Sequence, residues 1–289
     1  MLHNYIEQFL YYCQVSNFTA KSLEALTSRL KEFNRYCQNL STDSINMVTY
    51  RDLLIFVADF DRPSVHIKKS RVWVLRQFYH FLKLNQIVAD NLARDIPYPK
   101  MEKKVPQYLT IAEFNQILEY FALGAHSAIG LRNLIIIMLF GFLGLRLQAV
   151  QKLNVEDVDP VSGIIHIQDK GGVKRHLALP DILCKALSDY LNRDEQPDGP
   201  LFLSTRKKRI SERTIQDLLR KAMQELSIEK HLHAHLFRHT AATHLNKVAG
   251  PDITQHVLGH AARRNTEQYS HLNPAIYVSY MKKHPYMNL

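Results

Sequence analysis

The sequence predicts a mainly α-helical protein of two domains with one small β-hairpin, and three features carry that prediction. Apolar residues recur at three-to-four spacing over most of the chain. A basic stretch with three prolines, Arg94 to Pro106, breaks that spacing. Two short alternating runs, Gly163 to Ile167 and Val173 to Leu179, flank the turn-like Asp169-Lys170-Gly171-Gly172.

From the N-terminus, Thr19 caps a segment whose Leu23, Leu26, Leu30, Phe33 and Cys37 form one amphipathic face. A third helix is expected from about Ser64, burying Ile67, Val74, Phe78 and Phe81. Arg62, Lys69 and Arg76 repeat every seven residues and are expected to stack on one side of it, either as a solvated face or as a phosphate-binding stripe. The chain is then expected to run extended as a basic linker over residues 97–107, leaving domains at 1–96 and 108–289. Thr110 and Glu113 have capping-box spacing, so helix resumes at once before Phe114, Ile117 and Leu118. The apolar run Leu134 to Leu145 reads as a buried helix, because spanning a bilayer takes about 20 residues. After the hairpin, helical patterns follow over Asp181 to Asn192, Ser211 to Leu226 and Ala234 to Lys247, with a short helix over Pro274 to Lys283.

Composition narrows the function. A chain of 289 residues with 46% hydrophobic content can bury the cores of two ordinary domains. Its net charge of +10 calls for an anionic partner, with nucleic acid ahead of a membrane surface. No signal peptide is evident at Met1 to Tyr12. Cys13, Cys37 and Cys184 form neither a disulfide framework nor a CxxC pair, which suits a reducing cytoplasm.

The chemistry-bearing residues cluster late in the chain. His235 and Arg238 in HLFRH lie three apart on a helical pattern, and an imidazole beside a guanidinium can bind a phosphate. His231, His233, His235, His239 and His244 also crowd there, and His235 and His239 have the spacing of helical zinc ligands. Against a metal stand the absence of the HExxH glutamate and the fixed cation of Arg238. Two arginines suit a phosphodiester in transition, because each guanidinium can donate paired hydrogen bonds to its charged oxygens. A tyrosine suits the nucleophile, because its phenolate attacks phosphorus and later leaves.

The ordered series is more specific than any one motif: Gly144-Leu145-Arg146, Lys170 on the hairpin, His235-x-x-Arg238, Leu258-Gly259-His260, and Tyr269 nine residues further on. In this order the sequence resembles the tyrosine recombinase, or phage integrase, family. HLFRHTAATHL and LGHAARRNTEQYSHL look like its two signature blocks.

The resemblance implies a two-domain DNA clamp, with a helical, SAM-like core-binding domain joined by the basic linker to a catalytic domain holding a small hairpin sheet. It implies catalysis by Arg146, Lys170, His235, Arg238, His260 and Tyr269, without metal or other cofactor, through a 3′-phosphotyrosine intermediate and a Holliday junction. The partners implied are a double-stranded DNA recombination site and further recombinase subunits, as a homo-tetramer or with a paired related recombinase, in the cytoplasm at the nucleoid and not at a membrane. Arg62, Lys69, Arg76, Lys103 and Lys104 are the expected DNA contacts, positioning the protein on phosphates more than reading bases. The last helix, with Ile276, Tyr277 and Tyr280, is expected to dock on a neighbouring subunit or on its own domain. The sequence departs from the family pattern at Ala149, where an acidic residue is usual, and at Asp169, where glycine is frequent before the lysine. Two other functions stay open at this point: DNA relaxation of the type IB topoisomerase kind, and DNA binding without catalysis.

Overall fold

A computed structural model describes residues 2–40, 44–101, 107–168, 174–194 and 198–259. Lys103, Lys104, the Asp169 to Gly172 turn with Lys170, His260, Tyr269 and the helix expected over 274–283 lie outside the described residues. The chain divides into two compact units, Met1–Lys104 and Val105–Leu289. Among the described residues no helix is long and apolar enough to cross a membrane.

The first unit contains α1 (Leu2–Val15), α2 (Ala20–Asn39), α3 (Tyr50–Ala58) and α4 (Val65–Leu84). Thr19 caps α2 by accepting the Ser22 amide, and Leu26, Leu30, Phe33 and Cys37 below it are buried. The α3 helix has a capping box between Thr49 and Asp52 and follows a single 3-10 turn over Ile45–Met47. Its presence makes the helix that starts at Ser64 the fourth. Phe9, Phe33, Phe56, Phe78, Tyr79 and Phe81 fill the core.

Arg71 is inside that core at 2% exposure. Its Nη1 donates to the Phe56 and Phe60 carbonyls at 2.7 and 2.8 Å, its Nε and Nη2 donate to the Glu32 carboxylate, and its guanidinium lies 4.5 Å from the Phe56 ring centroid. A charge is tolerated there because carboxylate, carbonyls and ring face replace its water.

The second unit is mainly helical and, among the described residues, carries one three-stranded antiparallel sheet. Among the described residues its helices and strands are α5 (Ile111–Leu123), α6 (Ala128–Leu143), α7 (Leu147–Lys152), β1 (Val158–Asp159), β2 (Ile164–Gln168), β3 (Lys174–Ala178), α8 (Asp181–Asp194), α9 (Glu212–Leu226) and α10 (Ala234–Leu258). The capping box at Thr110 forms, and Glu113 also accepts two hydrogen bonds from Lys230 at 2.8 and 2.6 Å. The α6 helix is apolar on all sides because α5, α8 and α10 cover it. The expected hairpin forms with His166 opposite His176, and β1 adds a short third strand beside β2. The last pattern runs beyond Lys247: α10 continues to Leu258 across a break at Gly250, whose φ of 79° favours glycine and lets Pro251 open the next helical turn.

Candidate active site

Arg146 and Arg238 come from elements 92 positions apart in sequence and meet at one place. Gly144 ends α6 in the left-handed region with φ of 58°. A Cβ at Gly144 would stand 2.4 Å from Leu258 Cδ2 and 3.2 Å from Ala241 Cβ, so glycine is required both for its dihedral angle and for close packing against α10. The turn it makes sets Arg146 at the N-cap of α7. The far end of α7 is held by Arg209, whose Nη1 donates to the Gln151 and Leu153 carbonyls at 3.1 and 2.9 Å.

Arg238 is on the buried side of α10 at 4% exposure. Its Nη1 donates to the Gly144 carbonyl at 2.8 Å and its Nη2 to the Leu258 carbonyl at 2.6 Å. Arg146 Nη2 donates to the next carbonyl, Gly259, at 3.0 Å. The two guanidiniums therefore sit on consecutive carbonyls at the end of α10, immediately before His260. A helix end has unsatisfied carbonyls and partial negative charge, so it fixes both cations in place.

A third guanidinium joins them. Arg175 Nη1 donates to the His256 carbonyl at 3.1 Å and also to the Val257 carbonyl. Arg175 was not among the residues picked out from the sequence. Its signal was there: Val173, Arg175, Leu177 and Leu179 share one phase of an alternating strand, so the arginine occupies an inward position.

His235 is exposed on α10, one helical turn before Arg238. Burial of part of the ring, then His239, Arg238 and Arg146, hold its pKa below the ordinary 6.5, so the imidazole is neutral near pH 7 and able to accept a proton. The His235 and His239 rings pack edge to face at 4.8 Å between centroids. Among the described residues no group of three or more metal-ligating side chains is placed to hold an ion.

Other histidines of the cluster have different work. His233 caps α10, its Nδ1 accepting the Leu236 amide at 3.1 Å. His244 is buried and donates from Nε2 to the Leu109 carbonyl at 2.9 Å, while Thr240 Oγ1 accepts the Leu109 amide at 2.9 Å and donates to the Leu236 carbonyl. Much of the HLFRHTAATHL block thus anchors the segment leading into α5.

Ala149 is buried in the core of the second unit, with 9% exposure. Of the expected DNA contacts, Lys69 is exposed on α4. Arg62 is exposed too, but it lies in the left-handed turn before Ser64, with φ of 46°, and so off the helix. Arg76 is partly buried: its Nη2 donates to the Ile96 carbonyl at 2.7 Å and its guanidinium lies 4.5 Å from the Tyr98 ring centroid. The seven-residue repeat therefore does not make a single three-residue stripe, because Pro63 and the Ser64 cap start the helix after Arg62.

A basic, helical fold that gathers arginines and a neutral histidine at the Leu258–Gly259 end of α10 suits a protein that handles phosphate groups. The model of the phage integrase family matches residues 107–275, a span that includes all six expected catalytic positions. The tyrosine recombinase XerC of Oceanobacillus iheyensis is 30% identical over 304 residues, covering 99% of this chain and 98% of that protein. The XerC of Bacillus pumilus is 26% identical, covering 97% and 96%. In fold, the chain is similar to the XerH site-specific recombinase bound to its difH substrate, with a TM-score of 0.71 at 21% identity, covering 93% of this chain and 82% of that one. It is similar also to a lambda integrase dimer bound to a COC′ core site, with a TM-score of 0.73 at 17% identity, covering 94% and 77%. The chain belongs to the phage integrase family and is an enzyme of the tyrosine recombinase type, which cuts and rejoins DNA strands at specific sites.

Proposed function

We propose that this recombinase acts on double-stranded DNA through Tyr269, with Arg146 and Arg238 as its phosphate clamp. The observation that supports this most is the placing of both guanidiniums on the Leu258 and Gly259 carbonyls, directly before His260. The Tyr269 oxygen attacks the scissile phosphorus, giving its proton to neutral His235. A Tyr269–phosphate bond forms at the 3′ side, and the bond to the 5′ oxygen breaks. Lys170 donates the proton that this leaving oxygen needs. His260 hydrogen-bonds the phosphate while charge builds on it. The 5′ hydroxyl of a second strand then attacks the phosphotyrosine, releasing Tyr269 and conserving the bond energy, so neither metal nor nucleotide is consumed.

Four subunits, identical or paired with a related recombinase, hold two duplexes through a Holliday junction. Lys69, Lys103, Lys104 and Arg62 sit along the DNA backbone, and the site of action is the nucleoid in the cytoplasm. The test starts by recovering the bound sites from fragmented host DNA and building a nicked suicide substrate from one of them. Wild-type protein is expected to form a covalent adduct and Tyr269→Phe none. Equal adduct from both, or none from wild type, overturns the assignment. Relaxation of plasmid lacking any such site, without intermolecular products, would move the activity to the topoisomerase kind.

A further inference from the structure

The C-terminal carbonyls of α10 are occupied in order by three arginines. Arg175 takes His256 and Val257, Arg238 takes Leu258, and Arg146 takes Gly259. Two of these belong to the phosphate clamp proposed above. The third comes from β3, where Arg175 pairs with Ile167 and has 9% exposure beside buried Leu177. An aliphatic residue would suit that inward position without burying a charge. The guanidinium is sustained there by the helix-end carbonyls and the dipole behind them.

We infer that Arg175 is a positioning residue for strand cleavage: it fixes the end of α10, and so the point from which the chain sets out through His260 towards Tyr269. The inference rests on the catalytic roles proposed for those two residues. Arg175 also lies five positions after Lys170, so a rival role is to brace the hairpin that carries the general acid. The chemistry separates the two. When sulfur replaces the 5′ bridging oxygen at the scissile phosphate, the leaving thiolate needs no proton, and cleavage no longer depends on the acid.

The experiment compares wild type, Arg175→Lys, Arg175→Gln and Lys170→Ala on nicked suicide DNA with the oxygen or the sulfur bridge, under single turnover at saturating enzyme. Both Arg175 variants are expected to bind DNA like wild type but to cleave slower by about 10–100-fold, the scale on which a slightly misplaced reacting group acts. The loss should be equal on the two substrates, with lysine, which keeps the charge, less impaired than glutamine. The sulfur bridge should rescue only Lys170→Ala. Wild-type rates for either folded Arg175 variant overturn the inference, and so does rescue of these variants by sulfur, which would assign Arg175 to the hairpin. Because only folded, DNA-bound protein is read, unfolding of the glutamine variant leaves the lysine variant to decide. Failure of wild type to form an adduct on either substrate is a different result, which removes Tyr269 and the proposed chemistry first.

Discussion

Replacing Gly144 by alanine tests how the turn after α6 holds the two arginine-bearing segments together. The left-handed dihedral angle at φ of 58° costs a non-glycine residue roughly 1–2 kcal/mol. The new Cβ would stand 2.4 Å from Leu258 Cδ2 and 3.2 Å from Ala241 Cβ, so the Leu258 side chain or α10 itself must give way. Overpacking of this kind costs about 1–3 kcal/mol. Together these give a loss of about 3 kcal/mol, and at roughly 2–4 °C per kcal/mol for a domain of this size, Tm falls by about 6–12 °C.

The assay exploits the single tryptophan, Trp73, which lies on α4 in the first unit. Its fluorescence should report an unchanged transition, while far-UV circular dichroism shows the second unit melting earlier. A double-mutant cycle with Leu258→Ala isolates the clash. Truncating Leu258 alone costs about 2–5 kcal/mol, but in the Gly144→Ala background it relieves the crowding and costs about 1–2 kcal/mol less. Melting of Gly144→Ala within a degree of wild type, or strict additivity of the two changes, would refute the reasoning.

Further outcomes follow from the same contacts. Arg71→Ala strands the Phe56 and Phe60 carbonyls and leaves the Glu32 carboxylate to Arg29 alone, so urea unfolding followed by Trp73 fluorescence should show a loss of roughly 3 kcal/mol. Thr240→Val leaves the buried Leu109 amide without its acceptor and should cost roughly 1–3 kcal/mol by thermal melting, whereas Thr240→Ser should stay near wild type. The pKa values of His233, His235 and His256 are all lowered in the folded state, chiefly by burial, so the unfolded chain binds protons more readily as pH falls below 6.5. Their contribution is therefore complete above pH 6.5 and lost on acidification, and His256→Gln should flatten the pH dependence of unfolding free energy between pH 7 and 5. Lys69→Ala should weaken DNA binding evenly across sequences and reduce the salt slope by about one, as measured by titration at several salt concentrations.

The local structure was largely legible in the residues. Thr19, Ser64 and Thr110 started helices where capping chemistry requires, and the apolar spacing after each identified the buried face. The pairing of the two strands either side of the turn followed from their alternation. The caps and the alternation act over a few residues, within the reach of one turn or one strand. The tertiary structure alone decided what lies across long separations. It turned Arg76 inward onto Ile96 and Tyr98, and gave Thr240 and His244 to Leu109. It also closed Gly144 against Leu258 and brought Arg175 to the end of α10, 81 residues away. No spacing rule encodes such pairings. A guanidinium buried beside a carbonyl and one left in water have the same sequence, and only the fold determines which acceptor replaces the water.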